Sequence, residues 1–213
     1  MSEEKELQSN KSLLRVEAVA GLLCFIPLII GCFWYGQLPN RIAIHFNVGN
    51  NPDHYASKAF VVFGLPLLLF ALYIISCVTE RYSNKNRQSE KIQYISRFLV
   101  PIISNVVLLI VYVYALGKNV NVGMVAYLLM GFLLIILGNY MPKIRHNNTL
   151  GIKIPTTLRS ESNWNKTHRL AGYLWIVIGF AFIVFAVLDV TVPFFIGIAI
   201  AFLVPIGYSI IIK

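Results

Sequence analysis

Apolar runs of roughly twenty residues recur about six times along this chain, and no other feature restricts its fold so severely. As a helix rising about 1.5 Å per residue, each run reaches about 30 Å, the depth of a bilayer's hydrocarbon core. Backbone groups in hydrocarbon must find partners within the segment, and the runs lack the strict alternation of barrel strands, so helices are predicted. The composition agrees: 57% of the 213 residues are hydrophobic, 13% are charged, and mean hydropathy is +0.70. The expected fold is an all-α integral membrane bundle of about six transmembrane helices, near residues 17–36, 59–79, 98–116, 121–140, 170–189 and 192–212.

The net charge of +9 follows membrane topology rather than a compact nucleic-acid-binding face, so no direct nucleic-acid partner is expected. Fifteen of the eighteen Lys and Arg fall on one side. They are Lys5, Lys11 and Arg15 in the tail; Arg81, Lys85, Arg87, Lys91 and Arg97 after the second span; Lys143, Arg145, Lys153, Arg159, Lys166 and Arg169 after the fourth; and Lys213. Only Arg41, Lys58 and Lys118 lie opposite, which predicts both termini in the cytoplasm. The organisation that follows is a cytoplasmic tail over 1–16, a membrane hairpin over 17–79 with an extracellular loop 37–58, and a membrane domain over 98–213 with a cytoplasmic loop 141–169. The leader, with Glu3, Glu4, Glu6 and Glu17 and no small-residue cleavage pattern after Phe33-Trp34-Tyr35, is not read as a signal peptide.

Within the spans the polar inventory is small. Cys24, Cys32 and Cys77 form no Cys-x-x-Cys pair and read as packing residues. Gly131 and Gly138, and Gly172, Gly179 and Ala186, recur at heptad spacing and predict close helix contacts. Pro27, Pro66 and Pro205 predict kinks or loosened turns. Asn105 is expected to hydrogen-bond between helices, and Asp189 lies nearer a span end. A proton or ion relay needs several inward-facing ionisable groups at mid-membrane, and the sequence places none there.

Two loops are long and unusual in composition. In the outer one Ile42, Ile44 and Phe46 alternate with Arg41, Ala43, His45 and Asn47, which predicts a short strand with one apolar face. A turn at Gly49 to Asp53 follows, and Ser57 caps the second span. His45, Asp53 and His54 are possible zinc ligands by type, but their spacing matches no closed site and a fourth ligand is not evident, so no metal is expected. In the inner loop Ser160 or Ser162 caps a helix that continues into span five, stacking Trp164, His168, Ala171 and Trp175 on one face.

These two loops in this order resemble the SdpI family of bacterial membrane proteins. Leu38-Pro39 through His45-Phe46-Asn47 to Asp53 and Lys58 is similar to the uncharacterised domain often found at the amino-terminal end of such proteins. Gly138-Asn139, Asn147, Gly151-Ile152, Pro155, Trp164, Thr167-His168-Arg169 and Gly172 resemble the SdpI signature. Where family members often carry Gly-Ile-Arg-Thr-Pro, this chain has Gly151-Ile152-Lys153-Ile154-Pro155, which keeps the charge and loses the bidentate guanidinium.

The resemblance implies a multi-pass protein of the bacterial cytoplasmic membrane that confers immunity to a secreted peptide toxin and relays its presence by sequestering a cytosolic transcriptional repressor. It implies no enzyme activity and no cofactor. His45, Asn47, Asp53 and Lys58 are then candidates for toxin contact. Asn139, Asn147, Gly151, Pro155, Arg159, Trp164, His168 and Arg169 are candidates for the cytosolic partner or for the signature's structural role. A small transporter or flippase for peptide or lipid is the alternative. A membrane-embedded enzyme using His146 or His168 with Glu161 or Lys166 has no recognisable motif behind it.

Overall fold

Helices dominate a computed structural model of the chain, which describes residues 3–82, 88–188, 190 and 193–212. In order they are α1 (Glu3–Leu23), α2 (Ile26–Trp34), strands β1 (Arg41–Phe46) and β2 (Pro52–Ser57), a π-helical turn (Phe60–Gly64) leading into α3 (Leu65–Tyr82), α4 (Glu90–Ala115), α5 (Val122–Tyr140), the short α6 (Pro155–Arg159), α7 (Glu161–Val187) and α8 (Pro193–Ile211). Six helical stretches among the described residues are long and apolar enough to cross a membrane: Asn10–Trp34, Phe60–Tyr82, Glu90–Ala115, Val122–Lys143, Glu161–Val187 and Pro193–Ile211. Asp189, Lys85, Arg87 and Lys213 lie outside the described residues.

Three stretches begin well before the hydrophobic runs in the sequence. The third starts at Glu90 rather than 98 and the fifth at Glu161 rather than 170. Polar residues continue these helices because they lie on faces with partners: Gln93 and Arg97 on α4, and Asn163, Thr167 and His168 on α7, are buried. The first helix likewise extends back to Glu3.

The chain divides into two units: residues through Tyr82 with Ser89–Val120, and Gln88 with the residues from Asn121 onward. In the first, the hairpin and helices α1 to α4 pack around Ile42, Val61, Val62, Leu108 and Tyr112, with a second cluster at Ala20, Cys24, Tyr73 and Cys77. Thus α4, which the sequence assigns from residue 98 to the carboxyl-terminal domain, lies against α1, α2 and α3.

Pro27, Pro66 and Pro205 share a device. Each lacks the N–H that its helix would aim at an upstream carbonyl, and in each case a side chain from another helix supplies a donor instead. Pro27 orphans Leu23 O, where α1 breaks from α2, and Asn105 Nδ2 of α4 donates to it at 3.0 Å. Leu65 N bonds to Phe60 O across the π-helical turn, so in that register Pro66 orphans Val61 O. The Tyr112 hydroxyl donates to Val61 O at 3.4 Å. In the second unit Pro205 orphans Ala201 O, and Trp175 Nε1 of α7 donates to it at 2.7 Å.

The second unit is built on a glycine seam. A Cβ placed on Gly131 would lie 2.8 Å from Gly179 O, and one on Gly179 would lie 2.7 Å from Gly131 O. Gly138 and Gly172 face each other in the same way at 2.8 Å. The heptad repeats read in the sequence are therefore one antiparallel contact, where hydrogen in place of a side chain lets the α5 and α7 backbones touch. Tyr127, Leu134, Trp175 and Phe182 fill the space beside it, and Ala201 of α8 closes the cluster.

Candidate functional site

The outer loop is a two-stranded antiparallel hairpin. Its base is apolar: Leu38, Ile42 and Ala43 are buried against the first unit's core, and Phe46 meets Tyr114 edge to face at 4.7 Å. The predicted clean alternation does not hold. Ala43 is buried and Ile44 exposed because the pairing shifts register after Ala43, and β2 itself is invisible to the alternation rule. The turn is Asn47 to Asn51 rather than Gly49 to Asp53: Asn47 Oδ1 accepts from Gly49 N at 2.9 Å and Asn51 N at 3.1 Å, and Asn50 takes a positive φ of 60°. Ser57 caps the following helix, its Oγ accepting from Phe60 N at 3.3 Å.

The four outer-loop candidates divide by role. Lys58 Nζ donates to Tyr35 O at 3.1 Å and Leu38 O at 3.0 Å, neutralising carbonyls at the end of α2 and tying the hairpin's foot to that helix. Asn47 organises the turn. His45 and Asp53 present polar groups outward, and His54 joins them. Nδ1 of His45 lies 2.6 Å, and Nδ1 of His54 3.2 Å, from Asp53 Oδ1. The hydrogen bond from His45, reinforced by that from His54, holds the Asp53 carboxyl below the usual range. Linear spacing concealed this meeting, which depends on antiparallel pairing.

In the inner loop the signature residues split between interior and surface. Asn147 is buried and folds the loop around its amide: Oδ1 accepts from Thr149 N and Leu150 N, each at 2.7 Å, and Nδ2 donates to Arg145 O at 2.6 Å. Ser160 Oγ caps α7 by accepting from Asn163 N at 3.2 Å. Trp164, His168, Ala171 and Trp175 line one buried face, as the spacing predicts. Trp164 is 0% and His168 1% exposed, so neither can touch a cytosolic partner directly in this conformation.

Their task is to hold the loop. His168 Nε2 accepts from Ile152 N at 3.0 Å, which fixes the proton on Nδ1, and Nδ1 donates to Trp164 O at 2.8 Å. The imidazole stacks on the Trp164 ring at 4.0 Å, and Trp164 Nε1 donates to Ile144 O at 2.9 Å. Gly151 has φ +107°, and a Cβ there would collide with His168 Nε2. Pro155 opens α6 at its first turn. In this conformation both ring nitrogens of His168 are committed to backbone partners. Asn139, Arg159 and Arg169 are exposed, together with Arg145, Lys153 and Lys166.

A third constellation escapes the sequence reading. Arg97, only 1% exposed, donates Nε to Glu17 Oε1 at 3.0 Å and pairs through Nη1 with Glu80, while Arg81 pairs with Glu17. Ser96 Oγ adds a bond to Glu80 Oε2 at 2.9 Å. Arg81 and Arg97 are thus helix residues, not loop charges, and Glu17 is part of the bundle. Each sits near the end of an apolar run, where residue type alone does not reveal that the side chain turns inward. Two arginines balance two glutamates, and the network ties α1, α3 and α4 together.

Residues 143–209 match the model of the SdpI/YfhL protein family, and residues 22–70 match that of a domain of unknown function, DUF1648. The first match takes in the inner loop, α7 and nearly all of α8; the second takes in the hairpin and its flanking helices. The carboxyl-terminal part of the chain is therefore similar to the SdpI/YfhL family. It is 26% identical over 175 residues to the immunity protein SdpI of Bacillus subtilis (strain 168), covering 78% of this chain and 79% of that protein. No solved structure gives a significant match. With six helices among the described residues long and apolar enough to cross a membrane, and with this similarity, the chain is a multi-pass bacterial membrane protein. The resemblance read from the two loops thus extends over both halves.

Proposed function

We propose that this SdpI-like membrane protein is an immunity protein, protecting its host bacterium against a secreted, membrane-active peptide. The observation that carries the reading is similarity to the immunity protein SdpI across 78% of the chain, spanning both loops. The Lys and Arg asymmetry supports an orientation with the hairpin outside and the Asn147 to Arg169 loop inside. A peptide arriving from outside then meets the exposed face of the hairpin, where His45 and Asp53 stand beside Ile44 and Tyr55. On the inner side Arg145, Lys153, Arg159, Lys166 and Arg169 form an exposed basic surface suited to an acidic face on a cytosolic repressor. Toxin engagement couples to that surface only if the peptide binds one state of the protein more tightly than another. No catalysis is involved.

The test is survival of a toxin-sensitive bacterium expressing the chain and challenged with secreted membrane-active peptides, at matched membrane levels. Wild type is expected to protect, and a His45→Ala, Asp53→Asn double variant to protect less. An Arg159→Glu, Lys166→Glu variant is expected to protect while failing to co-purify with a cytosolic partner. Absence of protection by wild type against every peptide tried would overturn the reading.

A further inference from the structure

The hairpin departs from simple pairing twice within three residues. Arg41, Ile42 and Ala43 pair with Ser57, Ala56 and Tyr55, but the next pairs are His45 with His54 and Phe46 with Pro52. Ile44 is thereby left over on β1 and Asp53 on β2. Unbroken pairing would set Ile44 opposite His54 and His45 opposite Asp53, and strand alternation would send the two imidazoles to opposite faces. The paired shifts instead bring both rings to one side, edge to face at 5.4 Å, with the Asp53 carboxylate between them.

Each shift disrupts the ladder locally, and the rest of the hairpin does not require it. Its base is held by Leu38 and Ile42, its turn by Asn47, and its foot by Lys58. All three clustered residues are exposed, so their meeting gains no stabilisation from burial. What the double shift achieves is the convergence of two imidazoles and a carboxylate.

We infer that His45, Asp53 and His54 form a binding site for a divalent transition-metal ion of the zinc type. Their donor atoms all lie within 4.8 Å of one another. Donors around a tetrahedral ion at about 2.0–2.2 Å lie about 3.3–3.6 Å apart, so side-chain adjustments of roughly an ångström seat it. As the hairpin stands, the ionised carboxylate accepts from the two Nδ1–H groups. A ring that carries one proton moves it from Nδ1 to Nε2 through water, which frees the Nδ1 lone pair for the ion without net proton release. Two imidazoles with a single carboxylate suit zinc and its neighbours rather than calcium or magnesium, which need more oxygen ligands. Three protein ligands on an exposed face leave a coordination position open to water or to an incoming group.

The full-length chain, purified in detergent without a polyhistidine tag, is titrated calorimetrically with zinc chloride. One saturable site per chain is expected, weakened at least roughly tenfold by His45→Ala or His54→Ala, since even second-shell losses cost that much. A His54→Cys variant keeps a ligand at the same position. With Cys24, Cys32 and Cys77 replaced by Ser, and with cobalt(II), it is expected to show a thiolate-to-metal charge-transfer absorption that the parent with His54 lacks. Three results overturn the inference: no saturable zinc site in wild type, unchanged zinc binding in the His45→Ala, His54→Ala double variant, or no charge-transfer absorption in His54→Cys. No peptide enters the measurement, so its outcome is separate from that of the immunity reading.

Discussion

Asn105 joins two facts that look unrelated in the sequence. A lone amide deep in an apolar run and a proline in another run each read as local peculiarities, yet the amide donates to the carbonyl that the proline leaves without a partner. The bond is therefore expected to matter only while Pro27 is present. Asn105→Leu is expected to destabilise the protein by about 1 kcal/mol. In a Pro27→Ala background, where the helix regains its own N–H, most of that loss should vanish. A double-mutant cycle in reversible detergent unfolding measures the coupling, and strict additivity of the two changes would refute the pairing. The residue scale also shows what sequence spacing conveys unevenly. The heptad glycines and the Trp164, His168, Ala171, Trp175 face are legible because one helix carries each pattern. His168 as a loop tether is not, since its partner is a backbone N–H sixteen residues away.

At the scale of elements, α5 and α7 show how a membrane bundle is specified without a hydrophobic drive between helices. Gly131 meets Gly179 and Gly138 meets Gly172 backbone to backbone, so the obstacle to any larger side chain is a main-chain oxygen, which cannot rotate away. Gly131→Leu or Gly138→Leu is expected to cost about 1–3 kcal/mol or more and to separate the helices. Gly207, with open space around its position, serves as the control and should accept Ala with little effect on the seam. Disulfide cross-linking of cysteine pairs placed across the seam reads the separation directly, and full cross-linking in Gly131→Leu would contradict it. The hairpin is the opposite case: its strands carry little alternation, its register is set by the Asn47 turn, and no periodicity rule anticipates the two compensating shifts that leave Ile44 and Asp53 unpaired.

For the whole molecule the decisive quantity is the side of the membrane on which each loop lies. The charge asymmetry predicts the hairpin outside and the Asn147 to Arg169 loop inside. With Cys24, Cys32 and Cys77 replaced, Asn51→Cys should react with a membrane-impermeant maleimide in intact cells, and Lys166→Cys only after permeabilisation. The reverse pattern would remove the hairpin from any role in meeting an external peptide. Length and hydropathy by themselves determined that the chain crosses a membrane about six times as helices, because a backbone in hydrocarbon has few other ways to satisfy its polar groups. The order of the two loop motifs pointed to the family. Tertiary structure alone decided which polar side chains turn inward: Glu17, Glu80 and Arg97 into a charge-balanced tie, Trp164 and His168 into the frame of a loop, and His45, Asp53 and His54 into one outward cluster. Each of these depends on a partner distant along the chain, and a one-dimensional pattern records what a residue is without recording what it meets.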